Sequence, residues 1–116
     1  MPPTTEPVQG ILIGDDSRIS IVTMPQRLDA IYQLLDCQGI EAVPWVDGAH
    51  GYIDEDGKVM GRPLNRLATA VLQMHHLIDR RDWIAGPVVI LGSAPGGYEA
   101  DAPTSQLEWA QQHARP

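Results

Sequence analysis

An uninterrupted apolar run, Val88 to Leu91, is the feature that most constrains the fold of this chain. A short continuous run of this kind is typical of a strand that is covered on both faces. Gly86 and Pro87 stand directly before it. A proline is tolerated as the first residue of a strand, and a glycine lets the backbone pass close to a neighbour. The run therefore predicts the central strand of a sheet.

Two segments that precede this run have helical periodicity. Asn65 is a good N-cap, and an apolar stripe follows it at helical spacing: Leu67, Ala68, Val71, Leu72, His75 and Ile78. The opposite face of this helix carries polar residues: Arg66, Thr69, Gln73, His76 and Arg80. An earlier helix is predicted over residues 25–38, because Pro25 suits a first helical position and Gly39 a left-handed stop. Apolar residues recur between them: Leu28, Ile31, Tyr32 and Leu35.

The remaining strands are predicted from short β-rich runs. Residues 11–13 and 19–22, joined by a polar turn, indicate an opening hairpin. Residues 40–46 indicate a strand that either lies at an edge or has Pro44 at a bulge or break, because Pro44 cannot donate a hydrogen bond to a neighbour. Asp56-Gly57 is a strong turn signal between Tyr52-Ile53 and Val59-Met60. Residues 40–60 are therefore expected to form a three-stranded meander.

Together these elements predict an α+β fold, a single small domain. We expect a mixed, mostly antiparallel sheet of about five to six strands with two packed helices. Residues 1–9 are rich in proline and predict a flexible leader, and residues 10–92 form the domain. Residues 93–116 predict a linker and a short C-terminal helix, since Ser105 and Glu108 have the spacing of a capping box.

Charge and composition limit the partners. Fifteen acidic residues against eight basic ones give a net charge of −7, which opposes direct binding to nucleic acid phosphates. No apolar run approaches the roughly 18 residues of a membrane span. The N-terminus lacks the features of a signal peptide, so we expect a cytoplasmic protein without a membrane partner. The abundance of Arg over Lys, with many Ala, Gly and Pro, is typical of an actinobacterium or one of its phages or plasmids.

Neither a catalytic signature nor a metal or cofactor motif is present in the sequence. Asp54, Glu55 and Asp56 precede Gly57 as in part of a calcium loop, but the position that a bidentate Glu would take is Asn65. A solvated turn is the simpler interpretation. The neighbouring residues His75 and His76 point about 100° apart on a helix and do not chelate one metal easily.

Several ordered signals resemble the domain-of-unknown-function family 3846, small proteins of actinobacteria, their plasmids and their phages. They are Tyr52-Ile53-Asp54-Glu55-Asp56-Gly57, then Gly61-x-Pro63-x-Asn65, Ala68-Thr69, Asp82-x-Ile84-x-Gly86-Pro87-Val88-Val89 and Gly92. The resemblance covers about residues 11–92, and the proline-rich leader and the Trp109-containing tail depart from it. It implies a small mixed α/β domain associated with mobile elements. It supplies no activity and no catalytic residues.

Three functions stay open. The first is a non-enzymatic module that binds an anionic, nucleotide-like small molecule at the start of the second helix, as a counter-defence protein would. Its expected ligand-binding residues are Arg62, Asn65, Arg66, Thr69 and Tyr52. The second is an acidic module in which Asp54, Glu55 and Asp56 mimic nucleic acid and inhibit a host enzyme. The third is a small enzyme with an unrecognised site; homo-oligomerisation is compatible with all three.

Overall fold

The computed structural model describes residues 6–114, which form six strands and three α-helices. The strands are β1 (Val8–Ile13), β2 (Ile19–Met24), β3 (Ile40–Pro44), β4 (His50–Asp54), β5 (Val88–Ala94) and β6 (Tyr98–Ala100). The helices are α1 (Leu28–Leu35), α2 (Arg66–Met74) and α3 (Thr104–His113), with a short 3₁₀ turn at Val46–Gly48. The predicted α+β class is confirmed. None of the helices in this part of the chain has the length and apolar character needed to cross a membrane.

The sheet has the order β2-β1-β5-β4-β3, and every strand pair in it is antiparallel. Residues 88–91 are fully buried in its centre, between β1 and β4, as their sequence predicts. Beyond this paired region β5 continues, and its last three residues pair with β6. The strand that contains Pro44 lies at the sheet edge, the first of its two predicted placements, because a proline cannot complete a ladder on both sides.

Alternation along the strands divides the core into two layers. Ile11, Ile13, Val88 and Ile90 face α2 and α3, whereas Val89 and Leu91 of the same central strand face α1. Both faces of the sheet are therefore covered, and a residue's place in the two-residue period decides which helix it meets.

The first helix and the meander differ from their predictions. The first helix is shorter than residues 25–38, because Asp36 takes a left-handed conformation (φ 51°) and ends it before Gly39. The meander lacks its third strand. Residues 55–61 instead form consecutive turns, in which the Met60 amide donates to the Asp56 carbonyl, so Val59 is 88% exposed and pairs with no strand.

The second helix also ends earlier than its apolar stripe indicates. It stops at Met74, and His76 takes a left-handed conformation with a φ of 56°. His75 is therefore the C-cap residue, and it is exposed. Its predicted N-cap is confirmed, since the Asn65 side chain accepts a hydrogen bond from the Ala68 amide.

The C-terminal segment contains more structure than a linker. β6 lies within it, and the chain then crosses above Gly92, where a side chain would overlap the Asp101 carbonyl oxygen. The short C-terminal helix is present as α3, which packs Ala110, Leu107 and Trp109 against the core. The predicted leader starts outside the described residues, and β1 begins at Val8.

Candidate functional site

A polar cluster lies on the face of the sheet that also carries α1. His50 and Tyr52 are two residues apart on β4, so both point to this face. Ser93 follows Leu91 by two residues on β5, so its side chain points to the same face of the sheet as that of Leu91. Glu99 is the cross-strand partner of Ser93 on β6. Three strands therefore bring four polar side chains together.

Glu99 is the centre of this cluster. One carboxylate oxygen lies 2.8 Å from His50 Nε2, and the other accepts a hydrogen bond of 2.5 Å from the Tyr52 hydroxyl. Ser93 Oγ lies 3.2 Å from His50 Nδ1, on the other side of the imidazole. The side chains of His50 and Glu99 are 21% and 22% exposed, so the pair is largely shielded from solvent but not sealed from it.

Burial raises the pKa of the Tyr52 phenol well above its usual value, and the hydrogen bond to Glu99 and the charge of Glu99 raise it further. Each cause disfavours the phenolate beside a carboxylate. Tyr52 therefore stays a hydrogen-bond donor at physiological pH and fixes the orientation of Glu99. Its ring also meets His50 edge to face, with the centroids 5.1 Å apart.

A cavity of about 190 Å³ adjoins the cluster between β6 and the start of α1. Its apolar lining comes from both sheet and helix: Val8, Met24, Pro25, Leu28, Ile31 and Leu91. Four side chains with polar termini line the same cavity: Gln26, Arg27, Tyr98 and Glu99. Glu99 therefore belongs both to the hydrogen-bonded cluster and to the cavity wall.

Residues 8–115 match the model of the family described as domain of unknown function (DUF3846). The chain belongs to this family. The match extends the resemblance seen in the sequence at both ends, so that it includes β1, β6 and α3. No curated protein and no solved structure gave a significant match. The function of this DUF3846 domain is therefore inferred from its own geometry.

Three of the residues expected to bind an anion at the start of α2, Arg62, Asn65 and Thr69, have internal partners in this DUF3846 domain. Arg62 Nε lies 2.8 Å from a carboxylate oxygen of Asp54, and the same guanidinium donates to the Asp36 carbonyl. Asn65 is fully buried. Thr69 is buried too, and its hydroxyl accepts a hydrogen bond from the Ile84 amide, so its placement on an exposed polar face is wrong.

Tyr52 does not join these residues, because it faces α1 while α2 packs on the opposite face of the sheet. Arg66 is exposed, and no ion pair of Arg66 occurs among the described residues. The five expected ligand-binding residues are therefore divided between two faces. Among those at the start of α2, Arg66 is the one that is exposed, whereas Arg62 is partly buried in its ion pair with Asp54.

The acidic surface is also smaller than the sequence indicates. Asp54 is buried, pairs with Arg62 and accepts a hydrogen bond from the Asp56 amide. Glu55 and Asp56 are exposed. Within residues 6–114, no group of three or more His, Cys, Asp and Glu side chains is arranged to hold a metal ion.

Sequence reasoning missed His50, Ser93 and Glu99. They are far apart in the chain and match no known motif, since the sheet register alone brings them together. One signal was available for Ser93. The two-residue period of β5, continued past Leu91, places this serine on the same face as Leu91.

Proposed function

We propose that this domain is a binding module for a small molecule that has an amine and a carboxylate on an apolar body, such as an apolar amino acid. The observation that carries the proposal is the composition of the cavity wall. It combines one carboxylate, Glu99, and one guanidinium, Arg27, with an apolar lining. A few convergent polar groups over an apolar surface are the usual signature of a small-molecule site.

Glu99 supplies the site for the amine. Each carboxylate oxygen has two acceptor positions, and Tyr52 and His50 take one on each oxygen. The remaining positions are available to an ammonium group. Because the two existing hydrogen bonds already hold the carboxylate in place, little conformational entropy is lost when the amine binds.

Arg27 supplies the site for the carboxylate. It occupies the N-cap position of α1, and its side chain makes no capping hydrogen bond there. Its ion pair with Asp29 has a length of 3.4 Å, with both side chains more than half exposed. A pair of this kind contributes little free energy in water, so the guanidinium can turn to a ligand. The positive end of the α1 dipole favours a negative group at the same place.

The cavity volume limits the size of the ligand. At about 190 Å³ it is smaller than the roughly 300–1,000 Å³ of sites that enclose drug-sized molecules. An amino acid with an apolar side chain is of suitable size, whereas a nucleotide is too large. The proposal thus keeps a ligand with an anionic group, but moves its site from the start of α2 to the start of α1.

Thermal-shift measurements with a panel of free amino acids and mononucleotides test this function. At 1 mM ligand and a Kd of about 10 μM, binding stabilises the native state by about 2.7 kcal/mol and raises Tm by on the order of 10 °C. Glu99→Gln and Arg27→Gln should each weaken binding by roughly tenfold to a hundredfold, the usual effect of losing a charge-assisted contact.

The chain offers a matched control for each variant. Arg18 forms a 3.4 Å pair with Asp16, the same length as the pair of Arg27, so Arg18→Gln should leave binding unchanged. Glu108 is exposed on α3, and Glu108→Gln controls for the loss of one acid. The proposal fails if no amino acid raises Tm, or if Glu99→Gln binds like the wild type. Nucleotide binding that Arg66→Ala abolishes would instead favour the start of α2.

The biological setting is a separate part of the proposal. The Arg-rich, Lys-poor composition supports a source in an actinobacterium or one of its phages or plasmids. In that setting, a cytoplasmic module that sequesters a small molecule would act without chemistry, for example in counter-defence. Mass spectrometry of the natively purified protein tests whether it sequesters a small molecule and identifies that molecule.

A further inference from the structure

The polar cluster also joins a serine hydroxyl, an imidazole and a carboxylate in one hydrogen-bonded chain. We propose that Ser93 is a nucleophile, that His50 is its general base and that Glu99 positions the imidazole. In this role the domain takes an acyl group from small, uncharged carboxylic esters and transfers it to water. The inference goes beyond binding and does not depend on the amino acid ligand proposed above.

The hydrogen-bond directions fit this assignment. A carboxylate only accepts hydrogen bonds, so the neutral imidazole of His50 carries its proton on Nε2, which lies 2.8 Å from Glu99. Its Nδ1 then presents a lone pair to Ser93 Oγ, at 3.2 Å. The serine proton therefore points at the base. Both distances lie within the reach that nucleophile, base and orienting group need.

Both carboxylate oxygens of Glu99 have partners on β4. Tyr52 donates to its second oxygen at 2.5 Å, which leaves the first oxygen directed at His50. These two bonds would be enough to tie β6 to β4. Ser93 adds nothing to such a tie, and its side chain is exposed, so a substrate can reach its hydroxyl.

The neighbouring surface defines the substrate class. Ser93 shares a face with Leu91, whose side chain lines the cavity, so an ester carbonyl at Ser93 could place its alkyl part there. The lining is mostly apolar, which favours short alkyl or aryl groups.

The chemical step is balanced without a cofactor. Ser93 Oγ forms a bond to the ester carbonyl carbon while its proton passes to His50 Nδ1. The tetrahedral intermediate expels the alcohol oxygen, which takes the proton back from Nδ1 and leaves an acyl-serine. Water then gives a proton to Nδ1 and attacks the acyl carbon, and Ser93 Oγ leaves with that proton. Glu99 keeps its charge throughout and stabilises the imidazolium.

A fluorophosphonate reagent and p-nitrophenyl acetate test the proposal on the full chain. We expect the reagent to label Ser93 once, as located by peptide mass spectrometry, and the ester to acetylate the same residue. Ser93→Ala should remove both adducts. Ser105 is a matched control, because its hydroxyl donates to the Asp47 carboxylate and has no imidazole partner, so Ser105→Ala should react like the wild type.

The base and the positioning residue are tested by rate. His50→Ala should slow labelling by roughly a hundredfold or more, and added imidazole should restore part of the rate. Glu99→Gln should also be slow, and Glu99→Asp, which keeps the carboxylate, should recover part of the loss. Circular dichroism verifies that each variant is folded. The proposal is overturned if Ser93 acquires no adduct or no acetyl group, or if folded His50→Ala reacts at the wild-type rate.

Discussion

Asn65 offers the sharpest test of the fold, because one buried side chain joins three parts of the structure. Its oxygen accepts from the Ala68 amide at 3.1 Å and caps α2. Its amide nitrogen donates to the Ile13 carbonyl of β1 at 3.1 Å and to the Gly86 carbonyl before β5 at 3.0 Å. The side chain is fully buried, so bulk water does not compete for these bonds in the folded protein.

The expected cost of Asn65→Ala follows from these contacts. Loss of an N-cap costs about 1 kcal/mol. Each of the two buried carbonyls that lose a donor costs about 1–3 kcal/mol. The free energy of unfolding should therefore fall by roughly 3–7 kcal/mol, a large share of the about 5–15 kcal/mol typical of a domain. Asn65→Ser keeps a capping oxygen but lacks the amide donors, so it should cost about 1 kcal/mol less than Asn65→Ala.

Urea denaturation followed by circular dichroism measures both values, provided that the m-value stays constant. Arg66→Ala is the matched control, because Arg66 is the next residue and is exposed; its change should stay within about 0.5 kcal/mol. A loss below about 1 kcal/mol for Asn65→Ala would refute the argument. So would a larger loss for Asn65→Ser than for Asn65→Ala.

Three further predictions concern the core, acid stability and the chain crossing. Val89→Asp should abolish soluble expression, because it buries an unpaired charge at a cost of several kcal/mol, whereas Val59→Asp at an exposed position should express normally. The hydrogen bond from Lys58 is the main cause that lowers the pKa of Asp82 in the folded state. The ionised carboxylate therefore stabilises the fold above the unfolded-state pKa, and this stabilisation is lost as the pH falls through the folded-state pKa. Asp82→Asn should therefore be less stable than the wild type at neutral pH and converge with it in acid, and parallel pH profiles would contradict this. Gly92→Ala should lower Tm, since the added methyl group would overlap the Asp101 carbonyl oxygen. An unchanged Tm would show that the crossing chain moves aside without loss of stability.

The sequence predicts the core of this fold well, because burial there follows simple periods. Four apolar residues in succession identified the centre of β5, and Asn65 before an apolar stripe identified the start of α2. The ends of helices were harder to predict. Asp36 and His76 take left-handed conformations that a glycine adopts more easily, and local sequence preference does not identify them.

The turn at Asp56-Gly57 shows a second limit. A pattern of this kind favours a two-residue hairpin, but neither residue has a positive φ here. Asp54 is buried and bonded to Arg62 and to the Asp56 amide, so the chain turns on itself where a hairpin would continue. The ion pair between Asp54 and Arg62 therefore overrides the local preference for a hairpin.

The candidate site was unpredictable for a related reason. Its carboxylate comes from β6, in a segment whose Pro, Gly and Ala content is typical of a linker. Gly96 and Gly97 have φ angles of 86° and 81°, which allow the tight return from β5 to β6. Gly92 then lets the chain cross close above β5. The glycines that made this segment resemble a linker thus allow Glu99 to face Ser93 and reach His50. The composition that prevented prediction of the site is therefore the composition that its geometry requires.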